Sequence, residues 1–104
     1  MLILSTRNLP ELEVALDCMR EQARGLVRRH PAINGCRMDL RDAAPAGFEA
    51  RIALRLAQGE VVVSAHADAP RQALAAAVIE VDENLARRLV SARSLPSSDR
   101  PAAP

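Results

Sequence analysis

The pattern of apolar and polar residues predicts an α+β fold, a two-layer sandwich whose elements follow the order β-α-β-β-β-α. Apolar residues alternate with polar ones over 33–41 and 48–57, which is typical of strands with one buried face. In two longer segments, 12–29 and 70–93, apolar residues recur at helical spacing. We therefore expect a four-stranded mixed sheet with two parallel helices on one face.

The first three elements are predicted to be a strand, a helix and a second strand. Residues 2–4 are all apolar, as expected of a short buried strand. Asn8 as a capping side chain and Pro10 in the first turn predict where the helix begins. The helix should end by Arg29, because His30 precedes a proline and is disfavoured in helical conformation. Its predicted core stripe consists of Leu12, Leu16, Met19, Ala23, Leu26 and Val27.

The second half of the chain predicts a hairpin followed by the second helix. Gln58 and Gly59 supply a tight turn before the fourth strand, 61–67. Asp68 and Pro70 predict the start of the second helix. Its predicted core stripe consists of Leu74, Ala77, Val78, Val81, Leu85, Leu89 and Ala92. A helical crossover makes the first two strands parallel, and two hairpins then leave the fourth strand parallel to both.

Length and composition predict one domain, residues 1–93, followed by a flexible tail, residues 94–104. The chain has 104 residues, and its last eleven hold three prolines and three serines with no apolar pattern. A membrane helix needs about 20 apolar residues, and the longest uncharged run here has eight, so no membrane association is expected. Cys18 and Cys36 are too few for a disulfide framework and are expected to be buried in a cytoplasmic protein.

Composition also excludes several kinds of chemistry. All fourteen basic residues are arginine, which rules out a lysine nucleophile, and Phe48 is the only aromatic residue, which rules out a stacking platform. His30 and His66 have no cysteine or carboxylate at a triad or metal-ligand spacing. The isolated glycines form no phosphate-binding loop. We therefore expect no enzyme, no catalytic residue, no metal and no cofactor.

Arginines are concentrated near the predicted C-terminal ends of both helices. Residues 24–41 carry five arginines against one aspartate, and no acid follows Arg87 within the second helix. Because both helices return antiparallel to parallel strands, the two clusters should converge in a basic patch suited to RNA phosphates. The candidate RNA-binding residues are Arg24, Arg28, Arg29, Arg87, Arg88 and Arg93. Helix-dipole stabilisation and ion pairs within each helix explain the same charges equally well.

A second basic patch is expected on the sheet face away from the helices. Its members are Arg37, Arg41, Arg51, Arg55 and His66. An ordinary exposed sheet face with interspersed charges is the favoured interpretation of this patch.

One apolar face of the second helix lies outside its core stripe. Its members are Ala75, Ile79, Ala86 and Val90. We expect this face to pack on the first helix, because both helices cover the same side of the sheet. The alternative is a partner surface, such as a homodimer interface.

Two segments carry a resemblance to a known family. The stretch Ala50–Asp68 resembles the third and fourth strands of the ribosome hibernation promoting factor family, including the turn glycine and the small residues that end the fourth strand. Residues Leu85–Leu89 resemble the basic stretch of that family's last helix, and the first strand and helix also fit. The family includes the ribosome-associated translation inhibitors and is also called the sigma-54 modulation protein family.

The resemblance, which covers residues 1–93, implies a function. Members of the family occupy the decoding channel of the small ribosomal subunit and overlap the messenger and transfer RNA sites. It implies a bacterial stress-response factor in short form, which binds ribosomal RNA electrostatically and blocks translation or promotes hibernation without catalysis. The alternative is a protein-interaction module that keeps the fold without binding ribosomes.

Overall fold

The computed structural model describes residues 2–9 and 11–94, with side chains described as far as Arg87. The six elements occur in the predicted order, which confirms the α+β fold class. They are β1 (Leu2–Arg7), α1 (Leu12–Arg29), β2 (Gly35–Asp42), β3 (Phe48–Leu56), β4 (Gly59–Ala67) and α2 (Pro70–Ser94). The predicted tail lies outside the described residues except for Ser94, which ends α2.

The four strands form one sheet in the order β1-β2-β3-β4. Strands β1 and β2 are parallel, and the pairs β2–β3 and β3–β4 are antiparallel, as the connections predict. The β3–β4 turn differs by one residue from the prediction. Leu56 pairs with Gly59, so Ala57 and Gln58 form the turn, and Gly59 begins β4 with a φ of +142° that suits glycine.

The core fills the space between the sheet and the two helices. Helix α1 packs on β1, β2 and α2, and α2 packs mainly on β3 and β4. The inward positions of the strands alternate as predicted, because successive side chains of a strand point to opposite faces. The buried apolar residues are Met19, Ala23, Leu26, Ile33, Cys36, Met38, Leu40, Ala50, Ile52, Leu54, Val61, Val63, Ala73, Leu74, Ala77, Val78 and Val81. The side chains of Leu89 and Ala92 lie outside the described residues.

The start of α1 differs from the prediction. Asn8 has a left-handed φ of 57° and does not cap the helix, and Pro10 lies outside the described residues. The N-cap is Glu11, also left-handed, which makes no side-chain capping hydrogen bond although its carbonyl oxygen accepts the first helical bond, from Ala15. The chain therefore turns into the helix by two left-handed residues instead of by a capping side chain, and Leu12 is left exposed.

The expectation that the apolar face of α2 packs on α1 is wrong. Ala75, Ile79 and Ala86 are exposed, Ile79 at 58%, and the side chain of Val90 lies outside the described residues. The physical reason is that the two helices contact each other through other residues of α2. Polar contact between the helices is made instead by Arg29 with Asp82.

A search of the described residues for an apolar helix long enough to cross a membrane found none.

Candidate nucleic-acid interface

Arg24 and Arg28 are exposed and lie one turn apart in the C-terminal half of α1. Neither makes an ion pair with another described residue. No acid follows Glu21 in α1, so the last two turns carry cations alone. Such cations suit the negative end of the helix dipole, which explains their placement without using their hydrogen-bonding groups. Both guanidinium groups therefore remain able to bind an anion.

Arg29, the next arginine along α1, is committed to a contact inside the protein. Its Nη2 lies 3.1 Å from Oδ2 of Asp82 on α2, and its Nε lies 3.3 Å from Oδ1. His30 Nε2 lies 2.7 Å from the same Oδ1. Asp82 therefore joins the end of α1 to the middle of α2, and Arg29 is less available to RNA than Arg24 or Arg28.

This contact changes the acidity of Asp82. Partial burial alone would raise the pKa of Asp82, but the hydrogen bonds from His30 and Arg29 and the charge of Arg29 outweigh it. The pKa of Asp82 is therefore lowered from its ordinary value, and the side chain is a carboxylate at neutral pH.

Arg87 is exposed and makes no ion pair with any residue that the structure describes. It lies five residues after Asp82, which at 3.6 residues per turn is about 140° around the helix. Arg87 therefore lies on a different side of α2 from Asp82, the residue that pairs with Arg29 of α1. The side chains of Arg88 and Arg93 are outside the described residues. Of the six predicted arginines, the structure places Arg24 and Arg28 together and unpaired.

The outer face of the sheet holds arginines, three of which lie beside acids on neighbouring strands. The strand register places Asp39 beside Arg51, Glu49 beside Arg41, and Glu60 beside Arg55. Arg41 Nε lies 2.5 Å from Oε1 of Glu49, whose other oxygen lies 3.7 Å from His66. The hydroxyl of Ser5 donates to Asp39. Arg37 has no acid beside it, since its register partners are Ile3 and Ala53. The face therefore carries interspersed charges of both signs, as favoured from the sequence.

Asp82 is the functional neighbour that the sequence prediction missed. It lies in the middle of α2, and its partners lie more than fifty residues away along the chain. No local spacing indicates such a pair. Among the described residues, no three His, Cys, Asp or Glu side chains are grouped so that they could hold a metal ion.

Solved structures that share this fold include two that match most of the chain. The N-terminal domain of Thermus thermophilus protein Y matches with a TM-score of 0.70 at 24% identity, covering 84% of this chain and 98% of that one. A ribosomal subunit interface protein from Coxiella burnetii matches with a TM-score of 0.67 at 14% identity, covering 86% of this chain and 99% of that one. No protein-family model and no curated protein matches the sequence. The likeness predicted from the sequence is confirmed for the fold.

Proposed function

We propose that the protein is a ribosome-associated factor that binds the small ribosomal subunit through ribosomal RNA. It blocks translation, or promotes ribosome hibernation, by occluding the channel for messenger and transfer RNA. The observation that carries the proposal is the unpaired arginine pair, Arg24 and Arg28, on a fold shared with protein Y and with a ribosomal subunit interface protein. Arg87, Arg88 and Arg93 are further RNA contacts in this proposal, and Arg29 is a weaker one because Asp82 holds it.

The proposed mechanism is binding without chemistry. Arginine presents a planar fork of donors that matches phosphate oxygens, and a pair one helical turn apart can hold neighbouring phosphates. Phe48 is half-buried and is the only aromatic residue, so base stacking contributes little, and phosphate contacts position the protein without reading the RNA sequence. A bound domain then excludes messenger and transfer RNA by its volume. The setting we propose is the bacterial cytoplasm under stress.

The proposal is tested by co-sedimentation with purified bacterial small subunits at low and near-physiological salt. The test variant is Arg24→Glu with Arg28→Glu. The control is Arg37→Glu with Arg51→Glu, which changes the net charge equally on the opposite face of the sheet. We expect the wild type and the control to pellet with subunits at both salts and the test variant to remain in the supernatant. Failure of the wild type to pellet at either salt would refute the proposal.

The second candidate is a protein-interaction module, which includes the case of a homodimer. The observation that favours it is the exposed apolar face of α2, where Ala75, Ile79 and Ala86 are all open to solvent. Val90 was predicted to extend this face, and its side chain is outside the described residues. Light scattering over a range of concentrations tests the homodimer. A dimer mass that Ile79→Glu reduces to the monomer mass would favour this candidate, and a monomer at all concentrations would remove the homodimer.

A further inference from the structure

A groove of about 550 Å³ lies between the end of α1 and the first residues of β1 and β2. Its inner wall includes Ile33, which is buried, and its outer walls include Leu2 of β1 and Val27 of α1. The volume falls within the range of about 300–1,000 Å³ found for ligand pockets. The groove opens at the end of the molecule that carries the unpaired arginine pair.

The apolar walls of the groove are not fully covered by the rest of the protein. Leu2 is 43% exposed and Val27 is 45% exposed, although both were predicted to be buried. Scattered exposed aliphatic residues are ordinary on a protein surface. Here two of them face one concave space with a buried isoleucine behind them, which is typical of a binding site.

The charges beside the groove are also unsatisfied. Arg24 and Arg28 both line it, and neither has an ion-pair partner among the described residues. Other arginines of the same helix do have partners, since Arg20 binds Asp17 at 2.8 Å and Arg29 binds Asp82. The groove therefore offers an apolar surface next to two free cations. Its complement is a ligand that joins an aliphatic group to carboxylates.

We propose that this groove binds a short acidic peptide segment of another protein, with one or two aliphatic side chains in the groove and flanking carboxylates on Arg24 and Arg28. A peptide fits better than a fatty acid because of the neighbouring strand. Leu2 belongs to β1, which forms an edge of the described sheet and pairs only with β2. The outer edge of such a strand presents backbone groups that can hydrogen-bond to an extended peptide.

The peptide would also affect ribosome binding, a consequence that rests on the proposed function. Arg24 and Arg28 cannot hold carboxylates and RNA phosphates at the same time. A bound acidic segment would therefore release the protein from small subunits. Peptide binding is measured without ribosomes. The protein can therefore bind the peptide even if it does not bind small subunits, and it can bind small subunits even if it does not bind the peptide.

The test measures the fluorescence anisotropy of a labelled ten-residue peptide with two central leucines flanked by glutamates. One comparison peptide has glycines in place of the leucines, and another has lysines in place of the glutamates. We expect binding of the first peptide and at least about tenfold weaker binding of the other two. The glycine peptide lacks the aliphatic side chains that would fill the groove, and the lysine peptide lacks the carboxylates that would pair with Arg24 and Arg28. Equal binding of the glycine peptide would reduce the interaction to charge attraction and overturn the proposal.

Two single variants locate the peptide on the protein. Val27→Gln removes an apolar wall of the groove, and Val62→Gln makes the same change at another half-exposed valine, on the outer face of the sheet. We expect the first to weaken peptide binding by about tenfold and the second to leave it within about twofold. Because both side chains are about half exposed, both variants should fold, which circular dichroism checks. Equal losses in the two variants, no binding by the wild type, or displacement by dodecanoate with no peptide specificity would overturn the proposal.

Discussion

The C-terminal half of α1 and the outer face of the sheet are both rich in arginine, but the sheet places acids beside three of its arginines, whereas α1 has no acid of its own in its last two turns. On the sheet, the strand register sets Asp39, Glu49 and Glu60 beside arginines of adjacent strands. Among the described residues, the one acid that forms an ion pair with the last two turns of α1 is Asp82 of α2, which pairs with Arg29 and His30 at the end of the helix. The number of arginines on a surface therefore does not identify it as a binding surface. What identifies it is that its arginines have no neighbouring acid to pair with.

The outer face of the sheet should contribute little to stability compared with the inner face, which lines the core. Val62 and Val63 are adjacent on β4, but Val62 is exposed on the outer face and Val63 is buried on the inner face. We expect Val63→Thr to lower the free energy of unfolding by about 1–3 kcal/mol, because it buries a hydroxyl among apolar side chains. Val62→Thr should change it by about 0.5 kcal/mol at most. Urea denaturation measures both, and similar losses would contradict the assignment of the two faces.

Asp82 of α2 forms the ion pairs at the C-terminal end of α1. Asp82→Asn removes the charge that holds Arg29 and His30, and we expect a loss of about 0.5–1 kcal/mol in the free energy of unfolding, since the side chains are partly solvated. The same variant frees Arg29 and should bind small subunits more tightly than the wild type. Weaker binding by this variant would mean that Arg29 acts only as part of the contact with α2.

The effect of Asp82 should depend on pH in a defined direction. Its pKa is lowered in the folded protein, so its contribution to stability is present above the pKa of the unfolded chain and is lost as the pH falls through the folded pKa. We expect the stability difference between the wild type and Asp82→Asn to be constant down to about pH 5, to begin to fall near about pH 4, and to disappear only below the lowered folded pKa. A difference that grows toward low pH would contradict the assignment.

The smallest effect is expected for an ion pair on the outer face of the sheet. Arg41 is paired with Glu49 on an exposed surface. We expect Arg41→Ala to cost about 0.2–0.5 kcal/mol in urea denaturation at low salt, and less at 1 M salt where charges are screened. A loss as large as that of Asp82→Asn would show that the outer face is held together by its charges.

Most of the fold could be predicted from the sequence because it follows from local patterns. Strict alternation around Met38 and Ile52 placed those residues in the core, and the connections set the strand directions. The start of α1 was predicted less well. A capping residue such as Asn8 indicates a helix start nearby, but the left-handed conformation of Glu11 depends on how the chain leaves β1.

The candidate site was predicted only in part, because its details depend on contacts distant in sequence. The exposure of Arg24 and Arg28 follows from the helical pattern. The capture of Arg29 by Asp82 does not, since it requires the two helices to lie side by side. The exposure of Ile79 was missed for the same reason, because the sequence does not show how closely two helices on one sheet approach each other.

The most direct test of the central claim is the salt dependence of binding to small ribosomal subunits. The wild type is compared with Arg24→Ala plus Arg28→Ala and with Arg37→Ala plus Arg51→Ala. Each lost phosphate contact should reduce the slope of log affinity against log salt concentration by about 0.7–0.9. We predict a reduction of about 1.4–1.8 for the α1 variant and no change for the sheet variant. Equal reductions in both, or no change in the α1 variant, would contradict the claim that the unpaired arginines of α1 form the RNA-binding surface.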